Sequence, residues 1–179
     1  MKLNIGKIFS ILLLIILLPI LFFNITIMFK TFIVKEEVPS VFGYMPMIVA
    51  SGSMEDTIMV GDLIIDKKYD GKILNESDIV TFKDSNSSIV THRIVRVEKV
   101  SNEVRYYTKG DNNNTLDDDY IISSDIIGVY LMHFSKVGLF LGFIQTPIGA
   151  LCLVILVFAL GAMICLLNKD KDNKVLSNR

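Results

Sequence analysis

Two long apolar runs frame a segment of mixed polarity. The first, Ile8 to Phe29, is 22 residues interrupted by Pro19, Asn24 and Thr26, and a helix of that length crosses a hydrocarbon core of about 30 Å. The second extends from Val137 to Leu167, with an uncharged core at Ile148–Leu167 directly after Pro147. Between them, short stretches of β-branched and aromatic residues alternate with clusters of Asp, Asn, Gly and Ser, the pattern of strands and turns. Strands are predicted near Met47–Ala50, Asp62–Asp66, Asp78–Phe82, Ile89–Val100, Val104–Lys109 and Ile121–Leu131. Asp84–Ser88 and Ser101–Glu103 read as hairpin connections. The expected fold is a mainly β domain of antiparallel sheets flanked by two transmembrane α-helices.

This pattern divides the chain. Residues 1–7 precede a first transmembrane helix at 8–29, residues 30–136 form a β-rich domain, 137–167 hold the second transmembrane helix (core 148–167), and 168–179 make a basic tail. Lys2 and Lys7 before the first run would also suit a cleaved signal peptide. Such a peptide has a shorter apolar core, about 7–15 residues, with small residues at a nearby cleavage site. Here the run ends in Phe-Phe-Asn-Ile-Thr-Ile-Met-Phe, so an uncleaved anchor is expected. Lys169, Lys171, Lys174 and Arg179 follow the second run. Positive charge on the cytoplasmic side puts both termini in the cytoplasm and the β-rich domain outside; Lys30 and Lys35 weaken that bias slightly.

Charge and cysteine content narrow the chemistry. Residues 36–136 carry 17 acidic and 10 basic side chains, a net charge of −7, while the remaining residues carry +6. An acidic domain offers no basic face for phosphate, so nucleic acid is not an expected partner. The two cysteines, Cys152 and Cys165, lie in the second apolar run, too far apart along one helix to pair. With no thiol in the β-rich domain and only two histidines in the chain, neither a cysteine nucleophile nor a metal site is expected there.

Three segments could carry chemistry. Ser51-Gly52-Ser53-Met54 forms a turn at a strand end, where a serine hydroxyl could act as nucleophile once a base removes its proton; alone, it reads more readily as a polar turn with a capping serine. In Ile89–Val95, strand alternation puts Val90, His92 and Ile94 on one inward face, which places an ionisable ring on an apolar face; a buried, hydrogen-bonded core histidine is the plain alternative. His133, near the second apolar run, has no such setting. Lys109-Gly110-Asp111-Asn112 opens a loop continuing to Asp117-Asp118-Asp119. That loop lacks the closing glutamate of a twelve-residue calcium loop, but it could supply a carboxylate that orients an imidazole.

Taken in order, these segments resemble the type I signal peptidases. Ser51-Gly52-Ser53-Met54 matches the nucleophile motif and Gly61-Asp62 the short structural motif after it. His92-Arg93 matches the position where the endoplasmic-reticulum-type branch has histidine and many bacterial members have lysine. Lys109-Gly110-Asp111-Asn112 matches the acidic box. The resemblance covers roughly residues 46–128. It implies that Ser53 is the nucleophile, His92 the general base, and Asp111, with Asp117 or Asp118, the support of the imidazole. Between the last two Asp118 is preferred, on the reasoning that the loop carries one inserted asparagine. The Ser53 N–H and the Ser51 hydroxyl would form the oxyanion hole. Asp56 stands where the family usually has proline, which would have fixed φ in the turn.

The implied function is a membrane-bound serine endopeptidase that removes signal peptides through an acyl-enzyme, without cofactor or metal. Its implied partners are secretory precursors, the lipid bilayer and the secretion translocon. One alternative is a catalytically silent, anchored relative that serves in binding or assembly. Another is a self-cleaving protein of the related repressor-protease superfamily, but the lysine base and DNA-binding domain typical of that group are missing.

Overall fold

The computed structural model describes residues 5–177, with side chains from Gly6 to Leu167. Lys2 and Arg179 therefore lie outside the described residues, as do the side chains of Lys169, Lys171 and Lys174. The chain forms two compact units, one of residues 1–35 with 143–179 and one of residues 36–142.

The first unit is helical. Helix α1 (Ile5–Phe29) continues through a π-helical turn at Lys30–Val34, which ends where Lys35 turns left-handed (φ 60°) and donates its N–H to Lys30 O. The apolar helical span is thus Gly6–Val34, longer than the pattern alone predicts. Within it the Ser10 hydroxyl donates to Gly6 O, the Thr26 hydroxyl to Phe22 O, and Asn24 Nδ2 to Ile144 O.

The 137–167 stretch is not one helix. It divides into α2 (Val137–Ile144) and α3 (Pro147–Ser177). Pro147 takes the first helical position of α3, where its missing N–H is no loss. Thr146 caps that end by accepting the Gly149 N–H on its hydroxyl at 3.0 Å. Residues Pro147–Leu167 are long and apolar enough to cross a membrane.

The second unit is a six-stranded, wholly antiparallel sheet. Its strands are β1 (Tyr44–Ile48), β2 (Leu63–Lys68), β3 (Ile79–Lys83), β4 (Ile89–Val100), β5 (Glu103–Lys109) and β6 (Ile126–Phe134), in the order β1-β2-β6-β3-β4-β5. The last strand inserts at the centre, between β2 and β3. Ile121 makes only an isolated bridge to Tyr106, and a turn stabilised by the Ile122 N–H on Asp125 Oδ2 separates it from β6. The strand expected at Ile121–Leu131 therefore starts late.

Alternation along β3 sends Val80 and Phe82 to one face and Ile79 to the other, and both faces are covered. On one, Leu74, Val80, Phe82, Ile94, Tyr106, Ile121 and Ile126 cluster; on the other, Ile79 joins Ile64, Met54 and Ile58. The second cluster pins the turn that carries Ser53, because Met54 and Ile58 are both buried in it.

Candidate active site

The Ser53 turn is held by its own backbone and by that cluster. Glu55 N–H donates to Gly52 O, and Thr57 N–H and Ile58 N–H donate to Met54 O. Asp56 lies between them at φ 77°, a left-handed conformation closed to proline. Ser53 is half-buried, and its hydroxyl lies 3.5 Å from the Ser51 hydroxyl. Among the described residues the Ser53 N–H makes no hydrogen bond, so the donor is available.

His92 sits on β4 opposite Val80, on the face of the larger cluster. It is 6% exposed, and its ring meets Phe82 edge-on at 6.3 Å between centroids. Nδ1 is 2.7 Å from Asp117 Oδ2, an oxygen that also accepts the Thr108 hydroxyl at 2.7 Å. The Asp117 N–H donates to Thr108 O, fixing the loop's return. With Nδ1–H given to the carboxylate, Nε2 is the free base of the neutral ring.

Nε2 points towards Gly110. A Cβ at that glycine would lie 2.9 Å from His92 Nε2 and 2.5 Å from Ser53 O. Glycine is what allows the serine turn, the acidic loop and the imidazole to converge. The Asn112 N–H donates to Ser53 O and its side-chain amide to Gly52 O, tying the loop to the turn. Among the described residues no hydrogen bond joins Ser53 Oγ to Nε2; such catalytic contacts often close only when substrate binds.

The structure places Asp111 elsewhere than the imidazole. Its carboxylate receives Arg93 Nε at 2.8 Å and a second guanidinium N–H at 2.6 Å, and also the Thr57 hydroxyl at 2.6 Å. Arg93 holds the Asp111 carboxyl below the ordinary carboxylate range against partial burial, with Thr57 adding to the effect. The physical reason is strand parity. His92 and Arg93 are neighbours on β4 and project to opposite faces, so the residue that meets Arg93 at one face cannot also meet His92 at the other. The acidic loop passes from one face to the other, presenting Asp111 first and Asp117 six residues later. Asp118, the preferred second carboxylate of the sequence reading, is not bonded to the ring; Asp117 is.

Several participants carry no signal in the sequence. Thr57 and Thr108 are ordinary threonines until the fold brings them to Asp111 and Asp117. Gly110 could have been suspected, since it precedes the acidic loop at a strand end. His133, read as lacking a setting, accepts or donates at 2.8 Å to the Tyr130 hydroxyl and lies 3.9 Å from Asp62. Beside His92 opens a cavity of about 670 Å³ whose wall includes Val90, Leu116, Asp117 and Asp118.

No family model matches the chain. It is similar to signal peptidase I W of Bacillus subtilis, 39% identical over 93 residues, which make up 51% of this chain and 49% of that protein. It is also similar to the signal peptidase complex catalytic subunit SEC11 of Colletotrichum graminicola, 32% identical over 103 residues, 51% of this chain and 59% of that one. The human subunit SEC11C is 31% identical over 91 residues, 46% of this chain and 47% of its own length. The chain thus spans about half the length of the relatives it matches. A bacterial relative and eukaryotic ones point the same way: over about half its length this chain is similar to signal peptidase I and to signal peptidase complex catalytic subunits.

Proposed function

We propose that the protein is a membrane-anchored serine endopeptidase that removes signal peptides from translocated precursors. The observation that carries this reading is the placement of one imidazole between Asp117 on Nδ1 and the Gly110–Ser53 junction on Nε2. Ser53 Oγ attacks the scissile carbonyl while His92 Nε2 takes its proton; the same nitrogen returns that proton to the leaving amine. Asp117 fixes the tautomer and stabilises the imidazolium. The oxyanion forms against the Ser53 N–H and the Ser51 hydroxyl. Water then hydrolyses the acyl-enzyme, again with His92 as base. Asp111 acts through Arg93 and Thr57, as the tie that keeps the serine turn on β4.

In this reading residues 36–136 face away from the cytoplasm and act on secretory precursors arriving from the translocon. The test is precursor cleavage by purified protein in liposomes. Ser53→Ala loses essentially all turnover, because it deletes the covalent route; sustained cleavage by that variant rejects the reading. Ser51→Ala loses about 10²–10³ in rate if its hydroxyl serves the oxyanion. With Cys152 and Cys165 replaced by serine, a cysteine at Ser85 reacts with an impermeant thiol reagent in intact cells. Protection of that site would reverse the topology.

A further inference from the structure

A chain of polar side chains crosses the sheet and ends on the strand that carries His92. Asp66 on β2 and Thr81 on β3 are fully buried. Strand β6 lies between theirs, so their backbones stand about 10 Å apart. They meet because the β6 residue paired with Thr81 is Gly128. A Cβ there would lie 3.2 Å from Asp66 Cβ and would collide with the Met45 methyl. Across this gap the Thr81 hydroxyl donates to Asp66 Oδ2, while Asp66 Oδ1 has no partner among the described residues. On its other side Thr81 faces Thr91, its β4 partner, with the two hydroxyl oxygens 2.7 Å apart.

Hydrogen count gives the chain a direction. A threonine hydroxyl has one hydrogen and two lone pairs. Thr81 gives its hydrogen to Asp66, so the bond between the threonines carries the Thr91 hydrogen to Thr81. Thr91 Oγ1 is left as an acceptor. Thr91 is also only half-buried, so the chain runs from a buried acid to an accessible lone pair.

That lone pair stands at a free strand edge. Ile94 turns its N–H and C=O to the β3 side, to Asp78 O and the Ser77 N–H, and alternation turns those of Thr91 to the other edge. There β5 pairs only from Arg93 onward, opposite Lys109, and no strand lies beside Ile89–His92 among the described residues. A peptide added to this edge passes His92, and its side chains alternate between the two faces. Ile79 shares the face of Thr81 and packs with Met54, so the Ser53 turn and Thr91 belong to one face. The side chain next to the scissile bond (−1) is held at that turn. The next one on the same face is two residues back, at −3, about 7 Å along.

We infer that Asp66, Thr81 and Thr91 form a specificity device, which offers a hydrogen-bond acceptor to the −3 side chain of the precursor and selects a hydroxyl there, serine or threonine. The inference rests on the peptidase reading and deepens it. Thr91 is a specificity residue and Asp66 and Thr81 position it. Valine at −3 has the shape of threonine but would cover Thr91 Oγ1 without giving it a donor, and an acceptor sealed from water in that way is the costlier outcome.

The test uses full-length protein in liposomes and precursors that differ only at −3. The parent is expected to cut the threonine precursor with kcat/KM roughly tenfold or more above the valine one. A plain apolar pocket would favour valine. Thr91→Val should remove or reverse the preference, and Thr91→Ser, which keeps the hydroxyl, should restore it. The same threonine–valine exchange at −2, on the other face, should not respond to Thr91. Equal rates for the two −3 precursors with the parent overturn the inference, as does a preference that survives Thr91→Val. Should Thr91→Val fail to fold, the parent's own ratio still decides. If valine and threonine precursors are cut alike, the peptidase reading stands and this inference falls; if no precursor is cut, both fall.

Discussion

One oxygen of Asp117 serves two donors, the His92 ring and the Thr108 hydroxyl, and this small arrangement decides which acid of the loop acts on the imidazole. Thr108 is buried on the face of Ile94, its strand partner, so it holds the carboxylate where the ring can reach it. Asp117→Asn is expected to lower kcat by up to about 10⁴, the effect of losing the tautomer-fixing carboxylate. Asp118→Asn should leave the rate nearly unchanged. Asp111→Asn removes a bond to a half-buried guanidinium, worth about 2 kcal/mol, and should show as lowered stability as well as lowered rate. Measuring kcat and thermal unfolding for the three variants on one precursor separates these roles. A severe kcat loss at Asp118 with an intact Asp117 variant would invert the assignment.

At the scale of the element, the Ser53 turn is rigid because its two ends are anchored differently. Met54 and Ile58 are buried against Ile64 and Ile79, while Thr57 reaches Asp111 and Asn112 reaches the Ser53 and Gly52 carbonyls. Between these anchors Asp56 supplies the left-handed residue that closes the turn. Aspartate tolerates that region better than most side chains, yet still at a cost that glycine avoids. Asp56→Gly is therefore expected to be neutral or to stabilise by up to about 1 kcal/mol. Asp56→Pro should destabilise by roughly 2–3 kcal/mol or more, because its ring forbids φ 77°. Thermal unfolding of both variants checks this; a proline variant as stable as the parent would mean that the turn has another conformation.

Across the whole sheet unit, a buried polar chain crosses the face opposite His92. The Thr81 hydroxyl donates to Asp66 Oδ2 and lies 2.7 Å from the Thr91 hydroxyl, while Asp66 Oδ1 has no partner among the described residues. Burial pushes the Asp66 carboxyl from 3.8 up to about 6, against the Thr81 bond. Tyr130, its partner across the β2–β6 pairing, adds no positive charge. The sign follows from tighter proton binding in the folded state. The stabilising contribution of protonated Asp66 is complete below the unfolded value of 3.8 and is lost as pH rises through about 6. The difference is on the order of 3 kcal/mol. Asp66→Asn keeps the shape and the acceptor without the charge. It should be more stable than the parent at neutral pH, with the advantage shrinking as the pH falls towards the ordinary carboxyl range. A stability difference that does not vary with pH would show that Asp66 does not titrate in the fold.

The sequence by itself determined what depends on local periodicity. Period two set five of the six strands within a few residues, and β4 over Ile89–Val100 in full; unbroken apolar length set the two helices long enough to cross a membrane. It also brought Ser53, His92 and the acidic loop into one hypothesis, because each stands in a recognisable short motif. Tertiary structure decided what depends on distant partners. The insertion of β6 between β2 and β3 is invisible to local pattern, since no residue of Ile126–Phe134 announces its neighbours. The division of the 137–167 run turned on a Thr146–Pro147 cap that hydropathy does not register. The choice of Asp117 over Asp111 and Asp118 followed from the pleat of β4, which sends His92 and Arg93 to opposite faces and makes the loop answer each with a different carboxylate. Spacing along the chain carries no information about that crossing, because only the packed sheet gives the loop two sides.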